Sequence, residues 1–191
     1  MSPAHRRVED GAPSGISRRR FLGGVIAAAS ALALHPRRAL ASANAPRELS
    51  FVHLHTGERL AVAYRNGSGY EREELARVDH FLRDFRTGER HPIDTALLDL
   101  LHELKLATGT SAPFQVISGY RSPRTNEALR AQGGGQARNS FHLQGRAIDV
   151  RLADVESRTL RNFALALARG GVGYYPAEDF VHVDTGPVRR W

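Results

Sequence analysis

Two short segments towards the C-terminus alternate apolar and polar positions with the period of a β-strand. In Arg146–Leu152 the apolar Ile148, Val150 and Leu152 alternate with Ala147, Asp149 and Arg151; in Phe180–Asp184, Val181 and Val183 face away from His182 and Asp184. If both strands lie in one sheet with their valines in the core, Asp149, His182 and Asp184 emerge on the same face. Gly145 marks the turn that lets His142, of the wrong strand parity relative to Asp149, swing over that face. Two further alternating runs, Leu49–His55 and Arg59–Tyr64, flank Thr56-Gly57 and predict a β-hairpin. His53 and His55 share one face of it, as an exposed edge or part of a binding rim.

Helical spacing takes over after the break at Asn66-Gly-Ser-Gly69. Leu75, Val78, Leu82 and Phe85 predict a helix over Glu71–Phe85; Asp94 is placed to cap a second, with Leu97, Leu98, Leu101 and Leu104 buried and Gly109 ending it. Phe114–Ser118 reads as a short apolar strand running into Gly119-Tyr120-Arg121, and Ser122-Pro123 then starts a brief helix to about Ala131. Arg121 therefore falls in a strand-to-helix turn. Gly133–Asn139 is a polar loop with no Gly-Lys-Ser/Thr after it, which argues against a phosphate cradle. Asp154 is predicted to cap a last helix, with Leu160, Phe163, Ala164 and Leu167 inward and Gly170-Gly171 as its stop. The pattern as a whole predicts an α+β fold: a small antiparallel sheet carrying the polar cluster, three to four flanking helices and an N-terminal β-hairpin.

Composition narrows the classes. With 191 residues, 41% hydrophobic and 25% charged, the chain suits one ordinary globular domain, and the lack of any cysteine removes thiolate nucleophiles, zinc fingers and disulfide frameworks. Ser17-Arg18-Arg19-Arg20-Phe21-Leu22 is a twin-arginine signature, followed by the apolar run Gly23–Leu34 and small-residue cleavage patterns at Ala39-Leu40-Ala41 and Ala41-Ser42-Ala43. Residues 1–43 are thus expected to be a signal peptide that engages the twin-arginine export machinery, and residues 44–191 one domain delivered to the periplasm. Seven arginines and only two acidic residues fall in residues 1–41, so five of the seven net positive charges belong to the leader and two to the rest. So small a surplus points away from nucleic acid, and no second metal cluster suggests a nuclease.

His and Asp side chains supply neutral nitrogen and anionic oxygen, and three such groups leave a fourth tetrahedral position open for water, as in catalytic rather than structural zinc sites. Arg121 can clamp a carboxylate or stabilise a developing oxyanion through its planar fork, the alternative being a surface salt bridge. Tyr174 and Tyr175, in Gly170-Gly-Val-Gly-Tyr-Tyr-Pro176, can wall a cleft whose glycines admit an extended peptide, although tyrosines also pack at strand ends.

The run Ser140-Phe-His142-Leu-Gln-Gly145-Arg-Ala147-Ile-Asp149, followed by a strand carrying His182, is similar to the zinc D-alanyl-D-alanine metallopeptidases. With Ser118-Gly-Tyr-Arg121-Ser, Gly170–Pro176 and Phe180-Val-His-Val-Asp-Thr-Gly186, the chain from about Glu48 to Trp191 resembles the small, twin-arginine-exported periplasmic murein endopeptidases of that clan. The resemblance implies a metallopeptidase with one zinc ion per chain on His142, Asp149 and His182 and a peptidoglycan peptide cross-link as substrate; the oligomeric state is open, with a monomer as the default. It implies that Arg121 grips the peptide or stabilises its oxyanion, and that Ser140 binds substrate or orients the His142 loop. The general base departs from the family pattern. Some relatives carry a histidine two residues before the last ligand, where Phe180 stands, and others a glutamate three before it, where Asp179 stands. Asp184 is the first candidate for a base or for a partner of His182, Asp179 the second, and a structural Asp184 bonded to its own Thr185-Gly186 turn is the alternative. Two other functions stay open: a metal-containing cell-wall-binding module without turnover, and a D,D-carboxypeptidase.

Overall fold

The computed structural model describes residues 45–191; the expected twin-arginine leader and its cleavage patterns lie outside the described residues. Among the latter, eight strands form one sheet in the order β3-β2-β1-β4-β5-β7-β6-β8, accompanied by four α-helices. Strands β1 (Arg47–His53) and β2 (Arg59–Asn66) are the antiparallel hairpin, and β3 (Gly69–Tyr70) extends it. Helices α1 (Arg72–Phe81) and α2 (Thr95–Thr108) then carry the chain across to β4 (Phe114–Ser118), which pairs parallel to β1. After α3 (Pro123–Ala131) come β5 (Ala147–Arg151), α4 (Ser157–Leu167), β6 (Gly171–Tyr175), β7 (Phe180–Asp184) and β8 (Arg189–Arg190).

The sheet is therefore larger than the small antiparallel one expected, and it is mixed. The parallel β1–β4 pair fuses the hairpin to the polar-cluster strands, and a second parallel pair adds β8 to β6. Long crossovers are what parallel pairing requires, and α1 and α2 supply one. Ile148, Val150, Val181 and Val183 are buried with Leu160 and Ala164 of α4. Each of the isoleucine, valine and leucine side chains contributes roughly 1.5–3 kcal/mol by leaving water.

Several boundaries differ from the sequence expectation for identifiable reasons. Helix α1 stops at Phe81 because the Leu82 carbonyl accepts the Tyr120 N–H (2.8 Å), while Asp84 turns inward to accept the backbone N–H and hydroxyl of Ser122 at 2.9 and 2.7 Å. Phe85, freed from the helix stripe, stacks on His55 with ring centroids 4.4 Å apart. His53 is no exposed edge. It continues the inward parity of Leu49 and Phe51, is 1% exposed, and lies edge-on to Phe81 and Phe85. Helix α4 is entered from Glu156, because Asp154 accepts the Thr110 hydroxyl (2.7 Å) instead of capping; the helix ends at Ala168, in the left-handed region, before Gly170. The Asp94 cap of α2, the Gly109 stop and the Ser122-Pro123 start of α3 agree with the pattern. No helix among the described residues is long and apolar enough to cross a membrane.

Candidate metal centre

The antiparallel register of β5 and β7 pairs Asp149 with His182 and Ala147 with Asp184, so the three polar side chains share the face opposite the valines. His142 arrives from a 3-10 turn, Phe141–Gln144, whose entry is capped by Ser140: its hydroxyl accepts the His142 N–H at 3.3 Å. Gly145 ends the turn with φ of 64°, and a side chain there would run into the Pro92 carbonyl oxygen. Glycine is thus required both by conformation and by space.

Three ligand atoms converge as a result. His142 Nε2 lies 3.1 Å from His182 Nδ1 and 3.3 Å from Asp149 Oδ1, and His182 Nδ1 lies 2.8 Å from the same oxygen. Tetrahedral metal–ligand distances of about 2.0–2.1 Å set ligand separations of about 3.3 Å, close to these values. The outer nitrogens fix the tautomers. His142 Nδ1 donates to the Gly119 carbonyl at 2.7 Å and His182 Nε2 donates to Asp184 Oδ2 at 3.0 Å, so that each ring in its neutral form turns a lone pair towards the Asp149 carboxylate. Two lone pairs and an anion at this range repel unless a cation sits among them, so the donor set fits a divalent metal ion. His142, Asp149 and His182 are all buried, and among the described residues they form the group able to hold one.

The electrostatics agree. Burial alone would raise the Asp149 carboxyl, but His142 and His182 hold it far below the usual carboxylate range. Burial would lower His182, yet its bonds to Asp149 and Asp184 push it up to about 9. The pair of carboxylates therefore favours positive charge at this position, carried by a proton on the ring or, in its place, by a metal ion. Asp184 itself would be raised by burial, but His182 and the N–H groups of Gly186 and Gly171 bring it down to about 2.

Asp184 is 0% exposed and both of its oxygens are occupied. Oδ1 accepts the N–H groups of Gly171 (3.1 Å) and Gly186 (2.8 Å); Oδ2 accepts His182 Nε2 and, at 2.6 Å, the Arg189 guanidinium. All four of these bonds are to groups of the chain itself, one of them the His182 ring. Asp179 is not brought to the centre: it occupies the β6–β7 turn with φ of 53° and lies 3.5 Å from Arg151.

Arg121 is brought in. A register shift between Val116 and Ser118 bends the end of β4 towards the site, and the Arg121 N–H donates to the His142 carbonyl at 3.1 Å. Its Nη2 lies 3.7 Å from Asp149 Oδ2, its Nη1 donates weakly to Asn126 Oδ1 (3.4 Å), and its buried Nε has no partner among the described residues. Burial lowers the Arg121 pKa from the ordinary value, with Asp149 opposing.

These groups line a cleft of about 310 Å³ together with Ser140, Phe141, Tyr175, Phe180, Arg189, Trp191 and the backbone of Gly134–Ala137. Tyr174 is not among them. Strand parity sends it to the other face, opposite Val181, where Arg161 lies over its ring. Phe141, Arg189, Trp191 and the glycine loop were missed from sequence. The available signal was slight: Trp191 is the single tryptophan of the chain, and the loop precedes Ser140 directly.

The comparisons with known proteins point the same way. Residues 41–191 match the family model described as "Peptidoglycan L,D-endopeptidase MepK". The peptidoglycan L,D-endopeptidase MepK of Escherichia coli (strain K12) is 43% identical over 176 residues, covering 92% of this chain and 97% of the relative. The probable peptidoglycan L,D-endopeptidase MepK of Haemophilus influenzae is 40% identical over 173 residues, covering 89% and 91%. With its His–Asp–His cluster at the floor of a cleft, the chain belongs to the MepK family of peptidoglycan endopeptidases, within the zinc D-alanyl-D-alanine peptidase clan.

Proposed function

We propose that the protein is a zinc-dependent peptidoglycan endopeptidase that cleaves peptide cross-links of the cell wall. The observation that carries the reading is the convergence of His142 Nε2, Asp149 Oδ1 and His182 Nδ1, each imidazole held by an acceptor on its outer nitrogen. Those atoms would hold one zinc ion. When bound, zinc acidifies water to a pKa near about 7 and polarises a carbonyl.

The chain's own residues supply the rest. Asp184 keeps His182 in the tautomer that turns Nδ1 inward, and the Gly119 carbonyl does the same for His142. Ser140 holds the turn that carries His142. Arg121, buried and with an Nε that has no partner among the described residues, presents a desolvated cation to the peptide oxygen that gains charge or to a substrate carboxylate. The relatives' names supply the L,D-linkage as the bond to test first. Action on murein implies a site outside the cytoplasm, and the leader's pattern suggests the periplasm by twin-arginine export, with residues 44–191 as one working domain and the monomer as its form.

One observation favours a second reading, a wall-binding module that keeps the metal without turnover: Asp149, itself a ligand, is the only carboxylate among the described residues lining the cleft. Incubating the protein with cross-linked peptidoglycan, with chelator and with zinc restored, decides between them. Chelator-sensitive conversion of dimeric to monomeric muropeptides is expected. Unchanged dimers with zinc bound would leave the binding module, and loss of terminal D-alanine alone would indicate a carboxypeptidase.

A further inference from the structure

Tyr175 and Trp191 meet at the wall of the cleft, and the contact between them is polar. The Trp191 indole N–H donates to the Tyr175 hydroxyl oxygen at 2.9 Å. Neither ring is free to drift. Trp191 is pinned to β6 by two backbone bonds, its N–H to the Val172 carbonyl (3.2 Å) and its carbonyl from the Tyr174 N–H (3.1 Å). Its ring lies where a side chain at residue 173 would be: a Cβ on Gly173 would come within 2.7 Å of it. The same ring is 5.2 Å from that of His182, centroid to centroid, and Arg189 covers it at 4.9 Å. Tyr175 is fixed in plane by stacking on Phe180, with centroids 4.5 Å apart and planes within 12°.

A phenol has one O–H donor and two lone pairs. Once an oxygen lone pair is occupied by the indole N–H, the Tyr175 proton must be given elsewhere, and it has no acceptor among the described residues. Accepting a hydrogen bond also strengthens a hydroxyl as a donor. Tyr175 lines the same cleft as Arg121. The cleft is thus short of bases and supplied with donors.

We propose that the Tyr175 hydroxyl is a second catalytic donor beside Arg121, held for the peptide oxygen that becomes negative during hydrolysis, and that Trp191 is its positioning residue. The inference rests on the hydrolase reading above. It assigns the last described strand, β8, and the residue after it to the reaction.

The test uses the zinc-loaded full chain and the variants Tyr175→Phe, Trp191→Phe and their combination, assayed on purified cross-linked muropeptides. Trp191→Phe keeps a ring over Gly173 and removes the N–H. Tyr175→Phe is expected to lower kcat by about 10–100-fold with KM within about threefold, Trp191→Phe to lower kcat less, and the double variant to match Tyr175→Phe. Zinc content and Tm are expected to stay as in the wild type. A kcat untouched by Tyr175→Phe, a loss confined to KM, or multiplying losses in the double variant would each overturn the proposal. A second measurement is independent of turnover: binding of a phosphinate analogue of the cross-linking peptide, a tetrahedral anion, relative to the uncleaved peptide. Wild type is expected to prefer the phosphinate, and Tyr175→Phe to lose about 10-fold of that preference. No preference in the wild type, or one unchanged in the variant, also overturns it. A wild type that prefers the phosphinate but cleaves nothing would instead sink the hydrolase reading.

Discussion

Arg189 closes on Asp184 with both guanidinium ends, at 2.6 Å to Oδ2 and 3.3 Å to Oδ1, while its plane lies between the rings of Phe141 and Trp191. The carboxylate it neutralises is the one that holds His182. Replacing Arg189 by Met leaves a fully buried anion with one cation fewer. We expect a stability loss of roughly 1–3 kcal/mol, read as a shift in the urea midpoint, and a weaker grip on the metal.

Asp184→Asn isolates that second effect. The amide keeps the volume and one acceptor but cannot favour a donor at His182 Nε2 as an anion does. Zinc affinity, measured by competition with a chromophoric chelator, is expected to fall about 10–100-fold. Unchanged affinity would show that Asp184 serves only the Gly171 and Gly186 turn.

Removal of the metal should be visible in the fold as well as in activity. Zinc that binds only the native state at 100 times its dissociation constant adds about 2.7 kcal/mol. A concentration-dependent rise in Tm on adding zinc to the chelated protein is therefore expected, and His142→Ala or His182→Ala should abolish it.

Arg121→Lys tests whether the planar fork matters or only its charge. The Nε is buried without a partner among the described residues and both Nη contacts are long, and under the proposed function the fork is free to take an oxygen pair, which a single ammonium cannot span. A fall in kcat/KM of about 10²-fold or more on muropeptides is expected; activity near wild type would reduce Arg121 to a local counter-charge.

His53 supplies a pH dependence separate from the metal. Burial, helped by His55, holds it down at about 4, whereas an unfolded histidine titrates near 6.5. Its Nδ1 accepts the His55 N–H, so the proton is on the buried Nε2, which has no partner among the described residues. Between these values the unfolded chain binds the extra proton. Stability is accordingly full above about pH 6.5 and declines as pH falls towards 4, by on the order of 2 kcal/mol at pH 5. His53→Leu should flatten urea midpoints between pH 7 and 5.

What was legible in the chain was what a local period encodes. Alternation in Arg146–Leu152 and Phe180–Asp184 was enough to put Asp149, His182 and Asp184 on one face, and Gly145 was enough to mark the turn under His142. The same rule applied to Leu49, Phe51 and His53 placed His53 inside, but the hairpin was read as a free edge because nothing local announces the parallel β1–β4 pairing that buries it. Strand β8 is two residues long and has no period to read, which hid Arg189 and Trp191. Tyr174 and Tyr175 are adjacent, so one had to face away from the cleft, and only the pairing of Tyr174 with Val181 decides which. Asp154 had a nearer hydroxyl to accept than the helix N–H groups it was expected to cap.

The two histidines of the cluster are held by different kinds of acceptor, and this divides their exposure to mutation. The Gly119 carbonyl that receives His142 Nδ1 belongs to the main chain, so no side-chain replacement deletes it while the turn keeps its path. The acceptor for His182 is a side chain that depends in turn on Arg189. Drift can therefore reach the cluster through β7 and β8 one base change at a time, and a lineage losing activity should show its first lesions there rather than around His142.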